Sequence, residues 1–197
     1  MSSGAVTRVH RYTYREYLAH EAASNVKHEF FDGEIYAMAG GSLAHAALSV
    51  NASAALLVAV RDRPCVVYSS DLKVRVLANG LTAYPDVTVI CGGAETDPES
   101  DHVALNPTVV VEVTSPSTED WDRGEKLDSY RRIPSLRQCV IVSHRERRIE
   151  VHHRDADGLW TVAAGGRGET VAIPSLGCTL AVDDVYRNVE IDGAVAT

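Results

Sequence analysis

Two carboxylates beside apolar segments are the residues of this sequence best placed to do chemistry. Glu112 lies in residues 107–113, which are otherwise apolar enough for a strand buried on both faces. An ionised carboxylate in such a strand is costly unless a cation or strong donors meet it. Asp86 follows Pro85 and precedes a second apolar segment, residues 87–90. Two acids at the ends of two core strands predict a divalent-metal site, and such sites most often hydrolyse phosphodiesters.

Periodicity and turn residues indicate the elements that must position these acids. Thr13 and Glu16 have the spacing of a capping box, and Asp32-Gly33 between apolar flanks predicts a hairpin. The other predicted elements are a long buried helix from about 43 to 60, strands at 65–68, 72–76 and 138–142, an acidic mobile loop at 92–106, a helix capped by Ser117 that runs to about 132, a hairpin around Asp157-Gly158, and a short strand at 171–173 before a loose C-terminus. This order predicts a mixed α/β or α+β fold, with a central sheet flanked by helices.

Composition limits the class of protein. The 197 residues are 45% apolar, which suits one soluble globular domain, and no apolar segment is long enough to cross a bilayer. The N-terminus has no apolar signal region, so we expect a cytoplasmic protein. Its four cysteines are widely spaced, and we expect reduced core residues rather than a disulfide or zinc framework. They are Cys65, Cys91, Cys139 and Cys178.

The net charge of −8 does not by itself favour a nucleic-acid-binding protein. It does not exclude a nuclease, because an acidic metal site lowers the total charge while a local basic face binds phosphate. Residues 131–154 contain seven arginines against Glu146 and Glu150. This segment is either a strip that faces phosphates or a solvated hairpin whose outward residues are arginine.

A longer series of motifs resembles a known family. The matching segments, in order, are residues 29–36, His45, Pro85-Asp86-Val87, residues 112–118, Asp122-Arg123, Lys126 and Tyr130. In these segments the chain resembles the PD-(D/E)XK nuclease superfamily and, more closely, the restriction-endonuclease-like family within it that is abundant in cyanobacteria and actinobacteria. The resemblance covers residues 12–185 approximately. It implies a restriction-endonuclease-like domain, which we expect to span residues 1–197 as a single unit.

Thr114 departs from the superfamily motif, which places a lysine two residues after the second acid. The resemblance implies that Lys126, from the following helix, replaces that lysine. Asp122, Lys126 and Tyr130 are spaced by four, so they share one face of the predicted helix. The alternative is that Lys126 serves only as the i,i+4 partner of Asp122.

The resemblance also implies the roles of the site residues. Asp86 and Glu112 would supply oxygen ligands to Mg²⁺ or Mn²⁺, and the carbonyl of Val113 would complete the metal shell. Glu29 would be a third acid, or else a surface residue beside a turn. His45 would contact the site, or else be a hydrogen-bonded helix residue. The complete predicted catalytic set is Asp86, Glu112, Lys126, Glu29 and His45.

We interpret the chain as a metal-dependent endonuclease that acts on DNA. Since cleavage of both strands needs two active sites, we expect a homodimer. Two other classes stay open. One is a nucleic-acid-binding or scaffold protein that keeps the fold without turnover, which the threonine at 114 and the acidic net charge favour. The other is a metal-dependent hydrolase of a small phosphoester, which would have a narrow closed pocket instead of a long basic strip.

Overall fold

The computed structural model describes residues 10–191. Its helices are α1 (Tyr14–Ala23), α2 (Leu43–Ala59), α3 (Glu119–Arg123), α4 (Glu125–Tyr130) and α5 (Val182–Val185), with a short 3₁₀ turn at Pro174–Leu176. Its strands are β1 (His28–Phe31), β2 (Glu34–Ala37), β3 (Cys65–Ser69), β4 (Lys73–Arg75), β5 (Thr82–Ala83), β6 (Val87–Cys91), β7 (Thr96–Asp97), β8 (Ser100–Ala104), β9 (Val109–Val113), β10 (Gln138–Val142), β11 (Ile149–Arg154), β12 (Trp160–Gly165), β13 (Thr170–Ile173) and β14 (Cys178–Ala181).

Two six-stranded sheets hold most of these strands. The first has the order β12-β11-β10-β9-β6-β3, in which only the β9–β10 pair is parallel. The second has the order β2-β1-β5-β4-β8-β7, and β13 pairs with β14 separately. Helices pack against these sheets, so the predicted mixed fold with helices flanking a central sheet is confirmed.

Strand β9 lies inside the first sheet, and all five of its residues are buried. Because successive side chains of a strand point to opposite faces, Val109, Val111 and Val113 enter the core beneath α2. Val110 faces the second core, which contains residues of α4. Glu112 shares the parity of Val110, so the alternation of the strand directs its carboxylate toward α4.

The N-terminal elements form as their residues predict. Thr13 and Glu16 make the reciprocal hydrogen bonds of a capping box at the start of α1. Asp32 and Gly33 have φ angles of 47° and 78° in the turn between β1 and β2, a region that glycine adopts without strain and aspartate tolerates. The hairpin therefore places Glu29 on β1, with Trp121 of α3 close to its carboxylate.

The predicted helix from 117 to 132 is interrupted at Gly124, which separates α3 from α4. A Cβ at this position would lie 2.7 Å from the carbonyl oxygen of Asp120, so the chain approaches itself closely there. The predicted cap was also wrong. The helix starts at Glu119 with Thr118 as its N-cap and no capping side-chain hydrogen bond, while Ser117 Oγ lies 3.2 Å from Ser115 Oγ.

Two segments predicted to lack structure are ordered elements. The acidic segment 92–106 contains β7 and β8, which join the second sheet. Its Asp97 is buried because Arg75 of β4 forms an ion pair with it at 2.7 Å. Residues 178–185 form β14 and α5 instead of the predicted loose terminus, whose last residues, 192–197, lie outside the described part of the chain. Tyr186 is buried, and its hydroxyl donates to two backbone carbonyls.

The prediction that all four cysteines are reduced was wrong. Cys65 and Cys91 form a disulfide bond, because the antiparallel register of β3 and β6 places them directly opposite each other. Cys139 and Cys178 are free thiols. The disulfide weakens one argument for a reducing compartment, and the cytoplasmic location stays a prediction.

Helix α2 packs on the core as predicted, but only one stripe of it is buried. Leu48, Ala52 and Leu56 are spaced by four and lie in the core. Leu43 and Val50, on its outer side, are 93% and 66% exposed. None of the helices between residues 10 and 191 is both long and apolar enough to span a membrane.

Candidate active site

A buried lysine lies at the centre of the candidate active site. Lys126 Nζ is 2.9 Å from Glu29 Oε1, 3.0 Å from Glu112 Oε1 and 3.4 Å from Asp122 Oδ1. Each of these side chains is at most 10% exposed. Tyr130 adds a hydroxyl that donates to Glu112 Oε1 at 2.7 Å. The lysine therefore joins β1, β9 and the α3–α4 segment, and it does more than pair with Asp122.

The cluster contains more acids than cations. Burial acts to lower the pKa of Lys126, but the surrounding carboxylates outweigh burial and raise this pKa well above its ordinary value. Burial raises the pKa of Glu112 well above its ordinary value, in spite of the opposing charge of Lys126. Burial also raises the pKa of Asp122. The lysine therefore stays charged, while the excess negative charge of the carboxylates is relieved by a proton or by an added cation.

Asp86 lies beside the end of β9, next to this cluster. Its Oδ2 accepts a hydrogen bond from the Val113 backbone N–H at 2.8 Å, and its Oδ1 lies 3.3 Å from Ser49 Oγ. His45, in the first turn of α2, places Nε2 at 3.4 Å from Asp86 Oδ2. The hydrogen bond with Asp86 raises the pKa of His45, and contact with the Val113 backbone adds to this effect.

One cleft of about 770 Å³ collects every side chain that the sequence predicted for the site. Glu112 and Val113 are consecutive on β9, so they join the lysine cluster to the Asp86 cluster. The predicted residues that line this cleft are Glu29, His45, Asp86, Glu112, Val113 and Lys126. The sequence therefore predicted a set of residues that converges in space.

Sequence reasoning missed two contributors to this cleft. Trp121 donates its indole N–H to Glu29 Oε2 at 3.1 Å, and Ser49 contacts Asp86. Ser49 lies four residues after His45, so helical spacing could have placed it on the same face. The link between Trp121 and Glu29 joins residues 92 positions apart, and no local pattern indicates it.

The oxygen donors at the site are of the chemical type that a hard divalent cation binds. No described residue donates a hydrogen bond to Glu112 Oε2, and Glu29 Oε1 is buried without a hydrogen bond, although the ammonium of Lys126 is close to it. In residues 10–191, no group of three or more His, Cys, Asp or Glu side chains is arranged to hold a metal ion. A cation here would therefore depend on Asp86, Glu112, the carbonyl of Val113 and water. Mg²⁺ is usually bound in this way, by one or two carboxylates and several waters.

The arginines of residues 131–154 are mostly engaged within the protein. Arg145 pairs with Glu119 at 2.7 Å and Arg148 with Glu150 at 3.2 Å. Arg154 donates to backbone carbonyls, including that of Ile133 at 3.2 Å. These contacts support the alternative of a solvated hairpin with outward arginines over that of a strip free to bind phosphate.

Thr114 explains how the chain accommodates the loss of the motif lysine. It is fully buried, and its hydroxyl lies 2.9 Å from His144 Nδ1 and accepts from the His144 backbone N–H at 3.1 Å. The position is therefore used for packing the end of β9 against the loop after β10. A cation at the site has to come from another element, and Lys126 is the lysine that reaches Glu112.

The chain is similar to known proteins over most of its length. The model of the family Uma2, "Putative restriction endonuclease", matches residues 14–183. The chain belongs to the Uma2 family. This Uma2 chain is 37% identical over 172 residues to "Uncharacterized protein slr1290" of Synechocystis sp. (strain ATCC 27184 / PCC 6803 / Kazusa), covering 87% of the chain and 90% of the relative. It is 32% identical over 148 residues to "Uncharacterized protein sll1609" of the same strain, covering 75% and 84%.

A solved structure shares the fold of this Uma2 protein. It is "a putative nuclease belonging to DUF820 from Anabaena variabilis ATCC 29413", with a TM-score of 0.67 and 13% sequence identity. The match covers 83% of this chain and 91% of the other. The family and the restriction-endonuclease-like fold predicted from the sequence are thereby confirmed.

Proposed function

We propose that this Uma2 protein is a Mg²⁺- or Mn²⁺-dependent endonuclease that hydrolyses DNA phosphodiester bonds. The observation that supports the proposal most strongly is the buried Lys126, held by three carboxylates at the floor of an open cleft. A buried ion cluster with excess acid is expensive to maintain. The cluster lies beside Asp86 in the same cleft, and a catalytic role would explain why the chain retains so costly an arrangement.

Each residue has a distinct role in the proposed reaction. Asp86, Glu112 and the Val113 carbonyl would hold the metal, which when bound lowers the pKa of water and neutralises phosphate charge. Glu112 uses Oε1 for Tyr130 and Lys126, which leaves Oε2 for the metal side of the cleft. The Lys126 ammonium would stabilise negative charge that develops on the phosphate.

The supporting residues fix the geometry. The Ser49 hydroxyl and the Val113 backbone N–H orient the Asp86 carboxylate by donating hydrogen bonds to it. His45 contacts the same carboxylate from α2 and would hold it in place or transfer a proton. Glu29 positions the lysine and is itself oriented by the indole of Trp121.

Glu112→Gln tests the proposal most directly. The amide keeps the shape of the side chain but removes an anionic oxygen ligand, so metal-dependent cleavage of plasmid and single-stranded DNA should be lost. The fold should survive, because the cluster has more acid than it can neutralise. Asp120→Asn is the matched control, since Asp120 is an exposed carboxylate on α3. Cleavage by Glu112→Gln at the wild-type rate would reject the proposed role of Glu112.

Metal binding has a separate readout. Millimolar Mg²⁺ or Mn²⁺ should raise the melting temperature of the wild-type protein, because a ligand that binds only the folded state stabilises it. The shift should vanish when Asp86→Ala and Glu112→Ala are combined. A shift that persists in this double variant would place the metal elsewhere.

A binding protein without turnover is the second candidate, and the buried threonine at position 114 favours it. Such a protein would bind nucleic acid in Ca²⁺ but would not cleave it in Mg²⁺ or Mn²⁺. A hydrolase of a small phosphoester would do the opposite, since it would turn over a chromogenic phosphodiester without measurable affinity for DNA. Binding and cleavage measured on the same preparation therefore separate the three functions.

A further inference from the structure

One side of the acid-lined cleft is an aromatic and apolar wall, and the ring faces of this wall have no role in the proposed hydrolysis. Tyr36, on β2, is 46% exposed. The ring of Trp121 lies beside it, with centroids 6.4 Å apart and an interplanar angle of 33°. Phe31 packs against Trp121 from another side at 5.4 Å. Residues 37–39, Ala-Met-Ala, continue the apolar lining beyond Tyr36.

This wall is directly connected to the acidic floor. The indole N–H of Trp121 donates to Glu29, and Glu29 contacts Lys126. A planar group that stacks on the Trp121 ring would therefore contact a residue that is hydrogen-bonded to Glu29 of the ion cluster. The cleft volume of about 770 Å³ falls in the range of small-molecule sites, which is enough for a nucleotide.

The cleft lacks the cations that would hold a duplex. No arginine lines it within residues 10–191, and Lys126 is already held by three acids. Affinity for duplex DNA comes mainly from many contacts between phosphates and basic side chains. Aromatic stacking is the alternative source of affinity, and it works for every base because each base has a π face.

We infer that the cleft takes an unpaired nucleotide of a single-stranded segment, with its base stacked on the wall formed by Tyr36 and Trp121. The adjacent phosphate then lies toward Asp86 and Glu112, and this part rests on the proposed function. The stacking itself does not require hydrolysis. A paired base is enclosed between its neighbours in a duplex, so the substrate class is single strands, frayed ends and unpaired loops.

Binding to a single strand tests this inference. The probe is a DNA strand of about 12 nucleotides, within the site sizes of single-strand-binding folds, that carries 2-aminopurine and a terminal fluorophore. Affinity is measured by anisotropy in Ca²⁺ for the strand and for its blunt duplex. We expect the strand to bind at least about tenfold more tightly than the duplex. Only the strand can stack an unpaired base on the wall, and one stacked base contributes about this factor. The 2-aminopurine fluorescence should fall on binding.

Substitutions at Tyr36 identify the wall as the stacking surface. Tyr36→Leu should weaken single-strand binding about tenfold and abolish the 2-aminopurine change, whereas Tyr36→Phe should restore both because it keeps the ring. Tyr12→Leu is the matched control, since Tyr12 is 41% exposed and lies outside the cleft lining. Its affinity should equal that of the wild type.

The two proposals fail in different ways. Duplex binding as tight as strand binding, no strand binding, or unchanged affinity in Tyr36→Leu would each overturn the inference, even if Mg²⁺-dependent cleavage were observed. Tight, ring-dependent strand binding without cleavage in Mg²⁺ or Mn²⁺ would support the inference and reject the hydrolytic function.

Discussion

At the residue scale, Lys126 should be essential to the fold as well as to the proposed chemistry. Lys126→Met leaves Glu29, Glu112 and Asp122 buried without a cation, so the free energy of unfolding should fall by about 3–5 kcal/mol. Urea denaturation measures the loss. Lys27→Met is the matched control: its ion pair with Asp71 is exposed, and its removal should cost less than about 1 kcal/mol. Equal losses in the two variants would contradict the role of Lys126 in the buried cluster.

His152 gives a prediction about pH. Burial, and then the charge of Arg131, lower the pKa of His152, whose Nδ1 accepts a hydrogen bond from Arg131 at 2.9 Å. The unfolded chain therefore takes up a proton more readily than the folded protein. The neutral His152 side chain therefore contributes to the free energy of unfolding. This contribution is complete above pH 6.5, the ordinary pKa of histidine, and it is lost as the pH falls from there through the lower pKa that His152 has in the folded protein.

His152→Asn tests this linkage, because an asparagine oxygen can accept from Arg131 without titrating. Between pH 7.5 and 5.5, approximately, its unfolding free energy should fall less steeply than that of the wild type, the difference being at most about 1.4 kcal/mol per pH unit. His102→Asn, at an exposed histidine, should retain the wild-type slope. Parallel pH profiles for the wild type and His152→Asn would reject the linkage.

At the scale of elements, the break between α3 and α4 should be required for the site. Gly124→Ala places a methyl group 2.7 Å from the Asp120 carbonyl oxygen, so the backbone at the junction has to move. Overpacking of this kind typically costs about 1–3 kcal/mol, and Lys126 lies only two residues beyond the junction. Urea denaturation and DNA cleavage should both show the defect. Gly166→Ala, whose Cβ would have ordinary contacts, should behave as wild type; a silent Gly124→Ala would contradict the role of the break.

The elements that sequence predicted best were those with local signals. The capping box at Thr13, the turn at Asp32-Gly33 and the apolar run around Glu112 each depend on a few neighbouring residues, and the structure has all three. The strands at 96–97 and 100–104 were missed because their polar composition lacks the alternation of a half-buried strand. Asp97 becomes buried only through Arg75, a partner from another strand.

In the candidate site, too, local features could be predicted from the sequence and contacts between distant elements could not. The site residues could be predicted from the order of motifs, and even the face shared by Asp122, Lys126 and Tyr130 followed from helical spacing. The contacts across elements could not, because Lys126 meets Glu29 from the second sheet and Glu112 from the first. The break at Gly124 was hidden for a related reason, since a glycine inside a helical pattern is often tolerated. The Cys65–Cys91 pair required the strand register.

At the scale of the whole molecule, the predicted homodimer remains a proposal, and we place its interface on the outer side of α2. Leu43, Val50 and Leu57 recur every seven residues there, and each is at least 55% exposed. An exposed apolar stripe on the side of a helix opposite its buried stripe is typical of an interface. Val50→Glu combined with Leu57→Glu should convert a dimer to a monomer in sedimentation velocity.

The dimer also has a functional readout. Two linked active sites can engage one long single strand together, so the wild type should bind a long single strand more tightly than one of about 12 nucleotides. The monomeric variant should bind the two strands with similar affinity. Leu159→Glu is the control, because Leu159 is 64% exposed in a hairpin turn far along the chain from α2. A monomeric wild type, or unchanged sedimentation in the double variant, would reject this interface.

The lysine cluster has a consequence for biosynthesis, because its members come from distant parts of the chain. Trp121 and Glu29 are separated by 92 positions, and Tyr130 and Glu112 by 18. Contacts between residues far apart in the chain form late in folding. Closing a long loop costs conformational entropy, and this cost is paid before the new contact contributes any stability. On a ribosome, the first hairpin would emerge well before α3 and α4 exist. A nascent chain therefore lacks the assembled centre, so any hydrolytic activity begins only after α3 and α4 have packed against β1 and β9.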